Sequence, residues 1–195
     1  MDNIFSNRPD IDAEKETSRI YKNWRENFAL PLLVGVLIFG AFVLFPAILA
    51  SDSLVQKTFF ISTYLLTIVV TVVRFSYPVR MIIFLLNIYI LGIGELLTYG
   101  TNGDSLFFFL SLTTFATMMF SVQAGIASII INLITYAIFG TLYVNGLLVP
   151  SSPQGSPATV AGWISEALAM LMFTVIIILG FRSFRTRILR SKKTN

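Results

Sequence analysis

The sequence predicts an all-α, polytopic membrane protein: six transmembrane helices, both termini inside the cell, and an amphipathic interfacial helix at the N-terminus. Three observations predict it. The chain is 55% hydrophobic with a mean hydropathy of +0.79, above the roughly 45–50% apolar content of soluble domains. Six apolar stretches fill the sequence between Phe28 and Phe184. Thirteen of the fourteen Lys and Arg residues lie before the first stretch, between the second and third, or after the sixth, and only Lys57 falls on the other side. Cytoplasmic loops retain positive charge, so this asymmetry orients the chain.

Three regions follow: a cytoplasmic leader over 1–27, a transmembrane domain over 28–184, and a basic cytoplasmic tail over 185–195. In the leader, Asp12 is placed to cap a helix, and Ile20, Tyr21, Trp24 and Phe28 recur at three- and four-residue spacing. That stripe, flanked by basic residues, reads as a helix lying at the headgroups. A solvated leader with Trp24 as an anchor is the plainer alternative.

Span one is expected over 29–50, with Pro31 in its first turn, where a missing N–H costs little. Span two covers 54–73. Arg74 and Arg80 then flank a turn at Pro78. Span three, over 81–98, carries Gly92 and Gly94 as an interruption, and Asn102-Gly103-Asp104 marks a tight external turn. Span four, over 105–120, is the shortest of the six. Span five, over 124–144, opens after a minimal turn at 121–123. A loop rich in Pro and Gly leads to span six over 163–181, whose basic tail continues a helical spacing through Phe184 and Ile188. No half of the chain visibly repeats the other, which argues against an inverted-repeat transporter.

Composition also excludes chemistries. With no Cys and no His, the chain has no disulfide, thiol nucleophile, imidazole ligand or phospho-accepting histidine of its own. It has no nucleophile elbow, phosphate loop or zinc motif. No catalytic activity, metal or cofactor is therefore expected. The net charge of +4 sits in the flanks of the spans, so the expected partner is the lipid bilayer rather than nucleic acid. Trp24, Arg25, Arg74, Arg80, Arg182 and Arg185 are the expected membrane anchors.

Ionisable residues inside spans are expensive and mark the first places to look for function. Glu95 lies in the outer third of span three, Asp104 opens span four, Glu166 opens span six, and Asp52 follows span one. With Asn102, Tyr99, Thr98 and Ser105 they outline an outward-facing acidic vestibule suited to a cation, an amine or a proton. The plainer reading is that Asp104 and Glu166 favour helix N-termini. Asn87, Asn132, Thr67, Thr71 and Thr135 fall mid-membrane, where interhelical hydrogen bonding is the usual role.

The runs Trp24-Arg25-Glu26-Asn27-Phe28, Arg74…Tyr77…Arg80, Leu91-Gly92-Ile93-Gly94-Glu95-Leu96-Leu97, Gly103-Asp104 before Leu106-Phe107, and Gln123-Ala124-Gly125 carry a family resemblance. Together they resemble the N-terminal membrane input domains of bacterial sensor histidine kinases followed by GAF or PAS modules, over about residues 24–190. The resemblance implies a signal-input domain in the inner membrane, a homodimer, whose last helix passes a change to a cytoplasmic signalling module in cis or trans. Nothing follows Asn195, so the effector is expected outside this chain. The rival expectation is a small solute-binding transporter subunit resembling the substrate-binding components of vitamin uptake systems.

Overall fold

A computed structural model describes residues 9–51, 53–150 and 159–191. Within those residues the chain forms α1 (Pro9–Ala50), α2 (Leu54–Val72), α3 (Tyr77–Tyr99), a 3-10 turn (Gly100–Asn102), α4 (Ser105–Met119), α5 (Val122–Val144) and α6 (Val160–Ser191). Five of the helices are long and apolar enough to cross a membrane. The expectation of six such spans is corrected at α4. Its 15 residues rise about 22 Å, short of a hydrocarbon core of about 30 Å.

Several boundaries also move. From Pro9 onward the leader and span one are a single helix of 42 residues, with both Pro31 and Pro46 inside it. Pro31 is thus not in a first turn, and it withholds a donor from the carbonyl one turn back. Pro78 does not make the turn between spans two and three but sits in the first turn of α3, where its missing N–H has no helical partner to lose. Gly92 and Gly94 do not interrupt α3. The rings of Phe109 and Phe59 lie against them, in space that a Cβ would fill. Apolar length, not punctuation, decides where these helices run.

Successive helices are antiparallel. Tyr64 donates to the Leu37 carbonyl, Gln56 to Tyr99, Tyr77 to the Met119 carbonyl, and Ser105 pairs with Tyr136. One end of the bundle therefore gathers Arg25, Arg74, Arg80 and Arg182, and the other gathers Glu95, Asp104 and Glu166 with Lys57. We refer to them as the basic and acidic ends. The short α4 packs against α3, α5 and α6.

Two apolar cores divide the bundle along its length. Toward the basic end, Ala29, Leu33, Val70, Met81, Phe84, Ile88, Leu112 and Met119 pack together. Toward the acidic end the core is aromatic: Phe109, Tyr136, Tyr143 and Trp163, with Leu96 and Met170. Between the cores lie polar clamps. Asn87 on α3 donates to the Thr63 carbonyl at 3.0 Å and the Thr67 hydroxyl at 2.8 Å on α2. Asn132 on α5 donates to the Phe109 carbonyl at 3.0 Å and the Thr113 hydroxyl at 3.2 Å on α4. Lipid tails are as apolar as leucine, so such bonds and close backbone approach carry much of the association.

Candidate functional site

The acidic end is where ionisable side chains enter the spans. Glu166 lies on the second turn of α6, half-buried, one helical turn from Trp163 and from Met170. That spacing places all three on one face of α6. Its Oε2 accepts from the Tyr136 hydroxyl at 3.3 Å, and the Tyr136 hydroxyl lies 3.0 Å from the Oγ of Ser105. A phenol has one hydrogen, so when Tyr136 donates to Glu166 it must accept from Ser105. The result is a directed chain from the first residue of α4, through α5, to a carboxylate on α6. Ser105 is fully buried.

Aromatic rings wall this chain. Tyr136 meets Trp163 edge-on with centroids 5.6 Å apart, and Trp163 stacks on Tyr143 at 5.7 Å. On the other side Tyr136 meets Phe109 at 5.5 Å. Trp163 can lie this close to α5 because residue 140 is glycine, where a Cβ would come within 3.3 Å of the indole. Among the described residues the indole N–H is buried without a hydrogen-bond acceptor. Outside the ring cluster, a groove of about 510 Å³ runs between α5 and α6, bordered by Tyr136, Gly140 and Trp163.

The sequence-predicted residues fall into three separate settings. Glu95 accepts from the Asp104 amide at 3.3 Å, so its carboxylate serves the N-terminus of α4 instead of standing open. Asp104, at the N-cap position of α4, makes no side-chain cap and is exposed. Asn102 is exposed in the 3-10 turn. Tyr99 accepts from Gln56 at 2.9 Å, and Gln56 accepts from Ser51 at 2.8 Å, so this tyrosine ties α3 to the start of α2. Thr98 bonds back to the Gly94 carbonyl on its own helix. Glu95 and Asp104 thus meet through one backbone bond, while Glu166 and Ser105 meet separately through Tyr136. Asp52 lies outside the described residues.

Tyr136 and Trp163 were not singled out by sequence reasoning. A signal was present: Tyr136, Gly140 and Tyr143 repeat at four- and three-residue spacing, which places two rings around a gap on one face of α5. The partner that fills the gap lies on another helix and leaves no local mark.

The expected anchors also take distinct positions. Trp24 is exposed and stacks on Phe28 at 5.3 Å. Arg25 is half-buried and donates to the carbonyls of Met119, at 3.1 Å, and Phe120. Arg80 reaches the Val73 carbonyl at 3.0 Å. Arg74 and Arg182 are exposed at the same end, and the side chain of Arg185 lies outside the described residues. Among the described residues no group of three or more acidic, His or Cys side chains is arranged to hold a metal ion.

This arrangement of charged ends, apolar helices and a tethered intramembrane carboxylate can be set against known families. A family profile matches residues 23–189. The chain belongs to the MASE11 family. MASE domains are membrane-associated sensor domains of signalling proteins. The match takes in all of α2 to α5, almost all of α6, and α1 from Asn23 onward. It therefore includes Arg25 and Glu166 within the MASE11 region. No curated protein and no solved structure matches the chain.

Proposed function

We propose that this MASE11 domain is the input half of a bacterial signal-transduction protein. It lies in the inner membrane with its basic end and both termini in the cytoplasm. A stimulus at the acidic end changes the packing of α6 against α4 and α5, and α6 hands that change to a cytoplasmic module. A histidine kinase is the module that the sequence resemblance favours. The domain itself catalyses nothing. Lipid headgroups meet Arg74, Arg182 and the tail, and a second copy completes a homodimer.

One observation carries the reading: the family match takes in α2 to α5, almost all of α6 and α1 from Asn23 onward, so the bundle is a sensor domain rather than a carrier. That weighs against the solute-binding transporter alternative. Within the bundle, Glu166 is the residue on which the stimulus acts. A carboxylate inside a span is costly to keep, and this one is joined to two other helices through Tyr136. Its chemistry suits a proton or an amine.

The test is a chimera in which residues 1–191 lead in frame into a kinase module with a phosphotransfer readout. Glu166→Gln and Tyr136→Phe are expected to change the basal output and its response to external acidification and to ethylamine. Output unchanged by both substitutions would overturn the assignment of Glu166. A chimera locked at one output under all of these conditions would count against the sensor reading itself.

A further inference from the structure

α4 is too short to span a bilayer unaided, yet both of its ends are held by side chains from other helices. At the acidic end Ser105, its first residue, is bonded to Tyr136 of α5 and through it to Glu166 of α6. At the basic end Met119, its last residue, accepts from the Tyr77 hydroxyl of α3 at 2.8 Å and from the Arg25 guanidinium of α1 at 3.1 Å. Arg25 also serves Phe120. Ser105 and Met119 are both fully buried.

The physical reason for the second attachment is plain. The last carbonyls of a helix have no partner within it, and a helix of this length ends where water is scarce. A cation at a helix C-terminus also meets the negative end of the dipole. Arg25 supplies both the donors and the charge. Since it lies only two residues past Asn23, where the membrane-crossing part of α1 begins, the bond fastens the helical leader to the floor of the bundle.

We infer that α4 is a rod linking the acidic-end cluster to the N-terminal leader, so that α1, and not α6 alone, carries a change across the membrane. The juxtaposition is Glu166–Tyr136–Ser105 at one end of α4 and Met119/Phe120–Arg25 at the other. The clamp from Asn132 to Phe109 and Thr113 makes α4 and α5 move as one body. A shift of that body along its axis then reaches Arg25 directly. The inference rests on the proposed function in taking the acidic end as the place where a stimulus acts. The mechanical linkage does not depend on the stimulus.

The chain has no cysteine, so spin labels can be placed at will. Asn23 and Ser183 are exposed at the basic end, on α1 and α6 respectively. The full chain carrying Asn23→Cys and Ser183→Cys is labelled in vesicles of phosphatidylethanolamine and phosphatidylglycerol, and the distance between labels is read. Ser105→Ala together with Tyr136→Phe, which frees the α4–α5 body from Glu166 of α6, is expected to shift that distance by about 2 Å, the scale of interface helix shifts. In an Arg25→Gln background the same substitutions are expected to leave it unchanged. A shift of equal size in both backgrounds, or none in either, overturns the linkage. These variants probe the rod without any stimulus, so the linkage fails or survives separately from the chimera test of Glu166. Should Arg25→Gln not fold, Arg25→Lys, which keeps the charge but replaces the planar guanidinium with a flexible ammonium point charge, is expected to reduce the shift by about half. An undiminished shift there overturns the proposal equally.

Discussion

Asn87 and Asn132 occupy equivalent places in two successive hairpins. Each follows the serine at the N-cap position of its helix, Ser76 or Ser121, by eleven residues, on helices that are both 23 residues long. Each directs its Nδ2 at a backbone carbonyl and at the Thr hydroxyl one turn further along the neighbouring helix. The pairs α2–α3 and α4–α5 are thus two copies of one polar clamp with the same direction across the bundle. This is a tandem relationship, unlike the inverted repeats of transporters.

The clamps are expected to differ in their reserve. In the α4–α5 clamp, Thr113 keeps a second partner, since Ser128 donates to it at 3.0 Å. Asn132→Leu therefore removes one interhelical contact from an interface that retains another. It should cost about 0.5–1 kcal/mol, the usual range for such bonds in membranes. Asn87→Leu breaks the only clamp between α2 and α3 at that level and should cost about 1–2 kcal/mol. Unfolding of each variant by steric trapping in bilayers checks the order. Equal losses would mean that the Ser128 bond contributes nothing.

Gly125 is expected to be the least replaceable small residue. A Cβ there would run into Thr117 Oγ1, while that hydroxyl is committed to the Thr113 carbonyl at 2.7 Å. Overpacking of this kind costs about 1–3 kcal/mol, so Gly125→Ala should destabilise the bundle by that much. Thr117→Ala in the same chain should recover part of the loss, because the clashing oxygen is gone. Gly35→Ala, with nothing within 4 Å of the new methyl, should be neutral. Thermal unfolding in detergent distinguishes the three.

The order of the apolar helices and the segregation of charge were legible because each depends on local composition. A run such as Leu30–Leu49 is apolar whatever surrounds it, and Arg74 and Arg182 report their end through the loop rule alone. The pairing at the site was not legible. Glu166 was visible as a costly residue, but its acceptor role toward Tyr136 depends on how α5 and α6 rotate against each other, and Gly140 decides that through one close contact. Arg25 reads as a membrane anchor because basic residues beside a span usually are. Its bond to Met119 crosses 94 residues of sequence and answers a need of α4, whose shortness matters only once the helices are packed. The same holds for the leader: amphipathic spacing signals a helix, but not that it joins α1 without a break.

Tyrosine hydroxyls fasten the two hairpins to each other at opposite ends. Tyr77 donates to the Met119 carbonyl at 2.8 Å, and Tyr143 donates to the Leu96 carbonyl at 2.8 Å and the Leu97 carbonyl at 3.2 Å. Tyr77→Phe and Tyr143→Phe keep the rings and remove only the donors. Each is expected to cost about 0.5–1.5 kcal/mol. The two sites share no partner and lie at opposite ends of the bundle, so the double variant should lose the sum of the single losses. A double loss well above that sum would show the two ends to be coupled through the packing.

The short α4 sets the topology, because a helix that failed to cross would put α5 and α6 the wrong way round. Its ends are nonetheless placed at opposite ends of the bundle: Ser105 beside Tyr136, and Met119 beside Tyr77. The polar ends that a 15-residue helix leaves inside the bilayer are met by the Arg25 and Tyr77 donors at one side and by the acceptor Glu95 at the other. In a cysteine-free chain, Ser53→Cys and Gly103→Cys should react with a membrane-impermeant thiol reagent added outside intact spheroplasts. Arg74→Cys, Gln123→Cys and Ser183→Cys should react only after the membrane is opened. The decisive pair is Gly103 and Gln123, which flank α4. Labelling of both from the same side would mean that α4 does not cross, and that α5 and α6 run opposite to the orientation drawn from the basic residues.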